Sequence, residues 1–281
     1  DSNKAPAIVK SFTATQPDTL GLFWRRIAER RLYMNTSKGS NAVPLIKICG
    51  LTNSEDVLYC TELGADLLGF VFAESKRTAS VELVKKARLE IIKKLALSSR
   101  DSKACGLGPA APLFIGVITE LESPLAQSAL ALARAGYLDA IQWHGSTDAA
   151  SIAALDKALS DKSGRFYCGR YISMGIGSRG DMEQYRLLLE KGEPRILCDA
   201  KVEGRTGGTG KSIDQSLAED LSRSDHFWLA GGLSPENVYA ALERYNCELV
   251  DASSRLESSA GKKDHALLKN YFKEIQRYVQ R

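Results

Sequence analysis

Residues 45–72 read LIKICGLTNSEDVLYCTELGADLLGFVF. Two short apolar runs, 45–49 and 67–72, flank a stretch whose apolar residues recur at helical spacing. Asn53 stands where a helix N-cap belongs, since its side-chain oxygen can take an orphan backbone N–H. Gly64 stands just past the helix end, where a left-handed residue closes the last turn. Continuous apolar strands joined by helices imply a parallel sheet covered by those helices.

The unit recurs along the chain. Further strands are predicted over 113–118, 138–142, 166–172, 195–199, 227–230 and 247–251. Helices are predicted over 53–63, 80–97, 123–136, 147–160, 180–191, 212–222, 235–244 and 264–279. Ser80, Ser123, Thr147, Ser212 and Ser234 are expected N-caps, with Pro124 and Pro235 at first helical positions and Gly136 past a helix end. Strict alternation of this kind favours an α/β fold closed as a (β/α)8 TIM barrel over an open, doubly wound sheet. No G-x-G-x-x-G follows the first strand. The loop 98–112 is expected to be a surface insertion at the bottom of the barrel.

Residues 1–44 differ from the rest. They carry seven Lys and Arg against three Asp and Glu, which accounts for the whole net charge of +4. The neutral remainder offers no electrostatic footprint for nucleic acid. Leu20, Phe23, Trp24, Ile27 and Met34 recur at helical spacing, so an amphipathic helix is expected over 18–33, with its arginines on a solvated face. The expected organisation is an N-terminal extension, 1–44, holding this helix and a linker, then a barrel domain, 45–281. The chain opens on Asp1 without an apolar secretory stretch, and no run reaches the roughly 18 residues of a membrane span. The missing Met fits a piece of something longer. Six scattered cysteines with no C-x-x-C pair suggest reduced, cytoplasmic thiols and no zinc site.

In such barrels the site is built at the C-terminal strand ends. That rule selects Cys49, Arg77, Gln142, His144, Asp199 with Lys201, Gly231-Gly232, and Asp251 with Ser253-Ser254-Arg255. Ala230-Gly231-Gly232-Leu233-Ser234 leads directly into a helix, a place where bare N–H groups can face an anion. Gly207-Gly208-Thr209-Gly210 and Ser253-Ser254 extend that grip. Cys49 reads either as an inert core thiol or as a thiolate near positive charge, Arg77 and the phosphate loops being the candidates. Asp199 faces it across the mouth, so the two form a candidate base and acid. Asp251 reads as a carboxylate that orders the loop after the last strand.

These residues, in this order, resemble the phosphoribosylanthranilate isomerase family of tryptophan biosynthesis. The resemblance rests on Lys47-Ile48-Cys49-Gly50-Leu51-Thr52, Gln142-Trp143-His144-Gly145, Asp199-Ala200-Lys201, and Leu229-Ala230-Gly231-Gly232-Leu233-Ser234-Pro235-Glu236-Asn237-Val238. Asp251-Ala252-Ser253-Ser254 with Glu257 completes it, and the match spans roughly 45–278. It implies an Amadori rearrangement of N-(5-phosphoribosyl)anthranilate to 1-(2-carboxyphenylamino)-1-deoxyribulose 5-phosphate, with no cofactor and no metal. By the resemblance Asp199 is the general acid and Cys49 the general base, while Arg77 pairs with the anthranilate carboxylate. Gln142 and His144 line the pocket, and Gly208, Gly231, Gly232, Ser253 and Ser254 hold the phosphate. The implied partner is a small phosphorylated substrate, with neither nucleic acid nor membrane. A place within a multifunctional tryptophan-pathway polypeptide is a further expectation.

Two positions depart from the family pattern. Lys76 stands where proline is common, and Arg255 stands where glycine usually follows the serine pair. If that glycine uses positive φ, arginine is strained; otherwise its guanidinium supplements the phosphate grip. A catalytically silent phosphate-binding barrel, kept as a structural part of a longer chain, is the alternative from another class. Retention of Cys49 and Asp199 speaks against it.

Overall fold

The computed structural model describes residues 18–35, 43–101, 111–200, 220–221, 227–245 and 247–281. Eight parallel strands close into one barrel in sequence order. They are β1 (Leu45–Ile48), β2 (Leu67–Val71), β3 (Leu113–Ile118), β4 (Ala140–Trp143), β5 (Gly169–Ile176), β6 (Ile196–Ala200), β7 (Trp228–Ala230) and β8 (Leu249–Ala252). The last strand pairs with the first, Lys47 lying opposite Asp251. The predicted (β/α)8 barrel is therefore the observed fold.

Helices α2 (Ser54–Glu62), α3 (Val81–Asp101), α4 (Pro124–Arg134), α5 (Ala149–Leu159), α6 (Arg179–Glu190), α7 (Val238–Tyr245) and α8 (His265–Val279) connect or follow the strands. Asn53, Ser80 and Ser123 cap as expected: each side-chain oxygen accepts a backbone N–H three residues on. Gly64 and Gly136 take positive φ at helix ends. Thr147 does not cap α5. Asp148 does, because its carboxylate accepts from the Ser151 N–H at 2.8 Å. Ser234 likewise opens a turn, 234–237, rather than α7 itself; Asn237 clamps that turn by accepting from the Ser234 N–H and donating to the Gly232 carbonyl. The fifth strand starts three residues later than predicted, since Phe166 makes an isolated antiparallel bridge to Ser160 before the chain enters the barrel. Residues 102–110 of the predicted insertion and the expected cap Ser212 lie outside the described residues.

One further helix, α1 (Asp18–Asn35), precedes the barrel and closes its base. Leu20, Phe23, Trp24 and Ile27 are buried. Phe23 stacks on Tyr171 of β5, and Trp24 lies against Trp228 of β7. A Cβ at Gly169 would sit 2.3 Å from the Phe23 ring, so only glycine fits beneath that ring. The arginines were expected on a solvated face, but three of them are bound. Arg26 reaches Asp139 at 2.5 Å, Arg30 reaches Asp66 at 3.1 Å, and Arg31 reaches Glu248 at 2.5 Å. Each carboxylate immediately precedes an even-numbered strand, at the end opposite the strand C-termini. Among the described residues, no helix is long and apolar enough to cross a membrane.

Candidate active site

The C-terminal strand ends enclose a cavity of about 1090 Å³. Cys49, Arg77, Gln142, His144, Asp199, Gly231, Gly232, Ser253 and Ser254 all line it. Of the residues expected at the site, Gly208 and Lys201 lie outside the described ones.

Cys49 is seated by two glycines. Gly50 takes φ +76°, and a Cβ there would lie 2.8 Å from the Arg77 side chain. A Cβ at Gly69 of β2 would lie 2.7 Å from the Cys49 sulfur. Of the described cysteines, Cys49 alone is not fully buried. Its thiol is nonetheless pushed up: desolvation raises it and Asp251 adds to that, while Lys47 and Lys263 pull it down. Of the two readings of Cys49, burial favours the neutral thiol, and Arg77 is not among the main groups that pull it toward the thiolate. The largest influence that favours the thiolate is Lys47.

Lys47 is on β1 and Cys49 follows the strand two residues later, so both side chains fall on the side that faces the barrel interior. The Lys47 side chain is completely buried and its ammonium bonds Asp251 of β8. Burial works against that charge, yet Asp251, with Cys49 and Tyr171 beside it, outweighs the burial and keeps the ammonium raised. Beside them Tyr171 donates to the Gln142 side-chain oxygen at 2.9 Å. His144 lies 3.4 Å from the Ser173 hydroxyl; burial, helped by Lys47, lowers its pKa.

Arg77 is bound by two guanidinium nitrogens to Glu257, at 2.9–3.1 Å. That hydrogen bonding raises the arginine. Glu257 is held below its ordinary range, because Arg77 and Lys263 outweigh its burial. Lys263 also donates to the Ser253 carbonyl at 3.1 Å, so the chain Lys263–Glu257–Arg77 ties the last loop to the one after β2. Sequence reasoning missed Lys47, Tyr171 and Lys263. Glu257 was quoted without a role.

The anion grip is partly built. Gly231 and Gly232 take φ +98° and +64°, beyond the comfortable range of other residues. The Ser253 hydroxyl donates to the Cys49 carbonyl at 3.0 Å, which spends its proton on the β1 turn. Ser254 and Arg255 lie in a 3₁₀ turn, Ser254–Leu256, so the suspected positive-φ strain at Arg255 is absent. Arg255 lines the same cavity; Glu236 nearby is lowered chiefly by its hydrogen bond with the Ser234 side chain, with Arg255 a minor addition.

A family model described as "N-(5'phosphoribosyl)anthranilate (PRA) isomerase" matches residues 107–274. The N-(5'-phosphoribosyl)anthranilate isomerase of Petrotoga mobilis is 30% identical over 231 residues, covering 82% of this chain and 96% of that protein. The isomerase of Thermotoga maritima is 33% identical over 231 residues, covering 81% and 96%. A crystal structure of that enzyme superimposes with a TM-score of 0.63 at 30% identity, covering 83% of this chain and 99% of the other. The tryptophan biosynthesis protein TrpCF of Vibrio cholerae is 33% identical over 235 residues, which span only 42% of that longer protein. By barrel, by cavity and by these likenesses, the chain belongs to the N-(5'-phosphoribosyl)anthranilate isomerase family, enzymes of tryptophan biosynthesis.

Proposed function

We propose that the chain isomerises N-(5'-phosphoribosyl)anthranilate through Asp199 as acid and Cys49 as base. One observation carries this reading: a carboxyl on β6 and the one accessible described thiol, after β1, line a single cavity whose rim holds a glycine turn suited to an anion. The name of a solved relative's ligand supports it; that complex contains reduced 1-(o-carboxyphenylamino)-1-deoxyribulose 5-phosphate.

Asp199 gives a proton to the ribose ring oxygen. The C1–O bond breaks, leaving a protonated imine between C1 and the anthranilate nitrogen. That cation acidifies the C2 hydrogen and favours the Cys49 thiolate, which takes the C2 proton. The C2–H electrons form the enolamine. Its hydroxyl then loses a proton while C1 gains one, which gives the ketone. Arg77, oriented by Glu257, is the partner for the anthranilate carboxylate. Gln142 and His144 shape the pocket. Gly208, Gly231, Gly232, Ser253 and Ser254 take the phosphate, supplemented by the Arg255 guanidinium.

The same reading divides the chain into an extension, 1–44, and the isomerase barrel, 45–281. It also takes the chain as a cytoplasmic protein and, by analogy with the Vibrio protein, as one suited to a multifunctional polypeptide. The test is to form phosphoribosylanthranilate in situ from anthranilate and follow its loss. The intact chain is expected to consume it, and Cys49→Ser or Asp199→Asn to lose about 10²-fold or more in kcat. Turnover that survives both substitutions overturns the acid–base assignment; none in the intact chain supports a silent barrel instead.

A further inference from the structure

We infer that Lys47 is the positioning residue for Cys49: its buried ammonium, fixed on Asp251 one side-chain layer below, is the counter-charge that stabilises the sulfur anion at the cavity floor when the thiol gives up its proton. The catalytic consequence rests on the function proposed above; the charge relationship does not.

Placement makes the first case. Cys49 follows β1 two residues after Lys47, a spacing that puts the two side chains on the same side of the chain. A lysine with no exposed surface is costly, and sheet geometry alone gives no reason for one here. Asp251 satisfies it with one oxygen. The other oxygen, Oδ1, is buried with no hydrogen-bond partner among the described residues, although Asp251 lines the cavity. A pair kept only to tie β1 to β8 would have no need to leave that oxygen open beside the reacting thiol.

The electrostatics agree. The groups that face Cys49 are Lys47 on its own strand, Asp251 on β8, Tyr171 on β5, Arg77 after β2, and Lys263 on the short strand Lys262–Lys263. Lys47 is the largest influence that favours the anion, and Asp251 the largest charge that opposes it. The two therefore act on the sulfur with opposite signs.

The experiment reads the sulfur without substrate. Iodoacetamide alkylation of the full chain is followed against pH, and the peptide bearing Cys49 is quantified by mass spectrometry. Asp251→Asn leaves the ammonium unopposed and is expected to move the alkylation midpoint down by about one pH unit. The neutral double variant Lys47→Met with Asp251→Asn removes both charges and is expected to move it up, by the excess of the Lys47 effect over that of Asp251. Buried pairs often tolerate neutral replacement, and should the double variant fail to fold, the Asp251→Asn shift decides the sign alone. With phosphoribosylanthranilate, kcat of the double variant is expected to fall at least about tenfold at pH 7.5 with KM kept within about twofold. Midpoints that stay put, or an upward move in Asp251→Asn, overturn the inference. Variant midpoints that shift as described, beside a wild-type chain that does not isomerise the substrate, refute the proposed function and leave the Lys47 assignment standing.

Discussion

Phe23→Ala tests whether α1 is part of the folded barrel's stability. The ring is 2% exposed, stacks on Tyr171 with centroids 6.3 Å apart, and meets Trp24 edge-on at 4.9 Å. Burying about 200 Å² of aromatic surface at about 25 cal/mol/Å² gives about 5 kcal/mol as an upper bound. Measured Phe→Ala costs in cores run about 3–5 kcal/mol. A cavity at the edge of a helix can close partly, so about 3 kcal/mol is expected here. The assay is equilibrium urea unfolding, with the midpoint read at unchanged slope. Leu22→Ala is the control: that side chain is 48% exposed on the same helix and should cost less than about 0.5 kcal/mol. A Phe23→Ala midpoint no different from that of Leu22→Ala would refute the reasoning, because the helix would then rest on the barrel without holding it.

Two other outcomes follow from the geometry. Gly69→Ala places a Cβ 2.7 Å from the Cys49 sulfur and 3.0 Å from its Cα, so the thiol must move; kcat should fall at least about tenfold while far-UV circular dichroism stays native, and unchanged kcat would show that the seat is not needed. Asp139 and Glu257 are both held below their ordinary range, in each case because paired cations outweigh burial. Their folded values lie under their unfolded ones, so the stability they supply is complete above the unfolded values, near pH 4, and is lost as pH falls through the folded values. Glu257→Gln should therefore flatten the acid side of the stability–pH curve. It should also raise KM about tenfold, since Arg77 loses the group that aims it.

The alternation of apolar runs and amphipathic stretches was enough to read the barrel, since each strand and helix declares itself within a dozen residues. Cys49 and Asp199 were legible for the same reason: a barrel rule converts a strand end into a site position. Lys47 was not. A lysine inside a strand reads as a surface residue until β8 is laid beside β1 and Asp251, 204 positions later, arrives as its partner. The arginines of α1 failed likewise, because their carboxylates lie 36, 113 and 217 positions away. Thr147 and Asp148 are adjacent residues that can both cap, and the stronger N-cap, Asp148, is the one that the backbone uses.

The bond between Lys47 and Asp251 joins the first strand to the eighth, and this fixes an order of events during synthesis. A nascent chain that has emerged through β7 already contains the thiol, the acid and the glycine turn, yet its lysine has no counter-ion and its barrel has no seam. Contacts this distant along the polymer are also the slowest to form. Chemical competence in this protein is therefore expected to arrive in one step, late, when the final strand docks, and a ribosome stalled before that strand would hold a chain with nearly all of the machinery and none of the function.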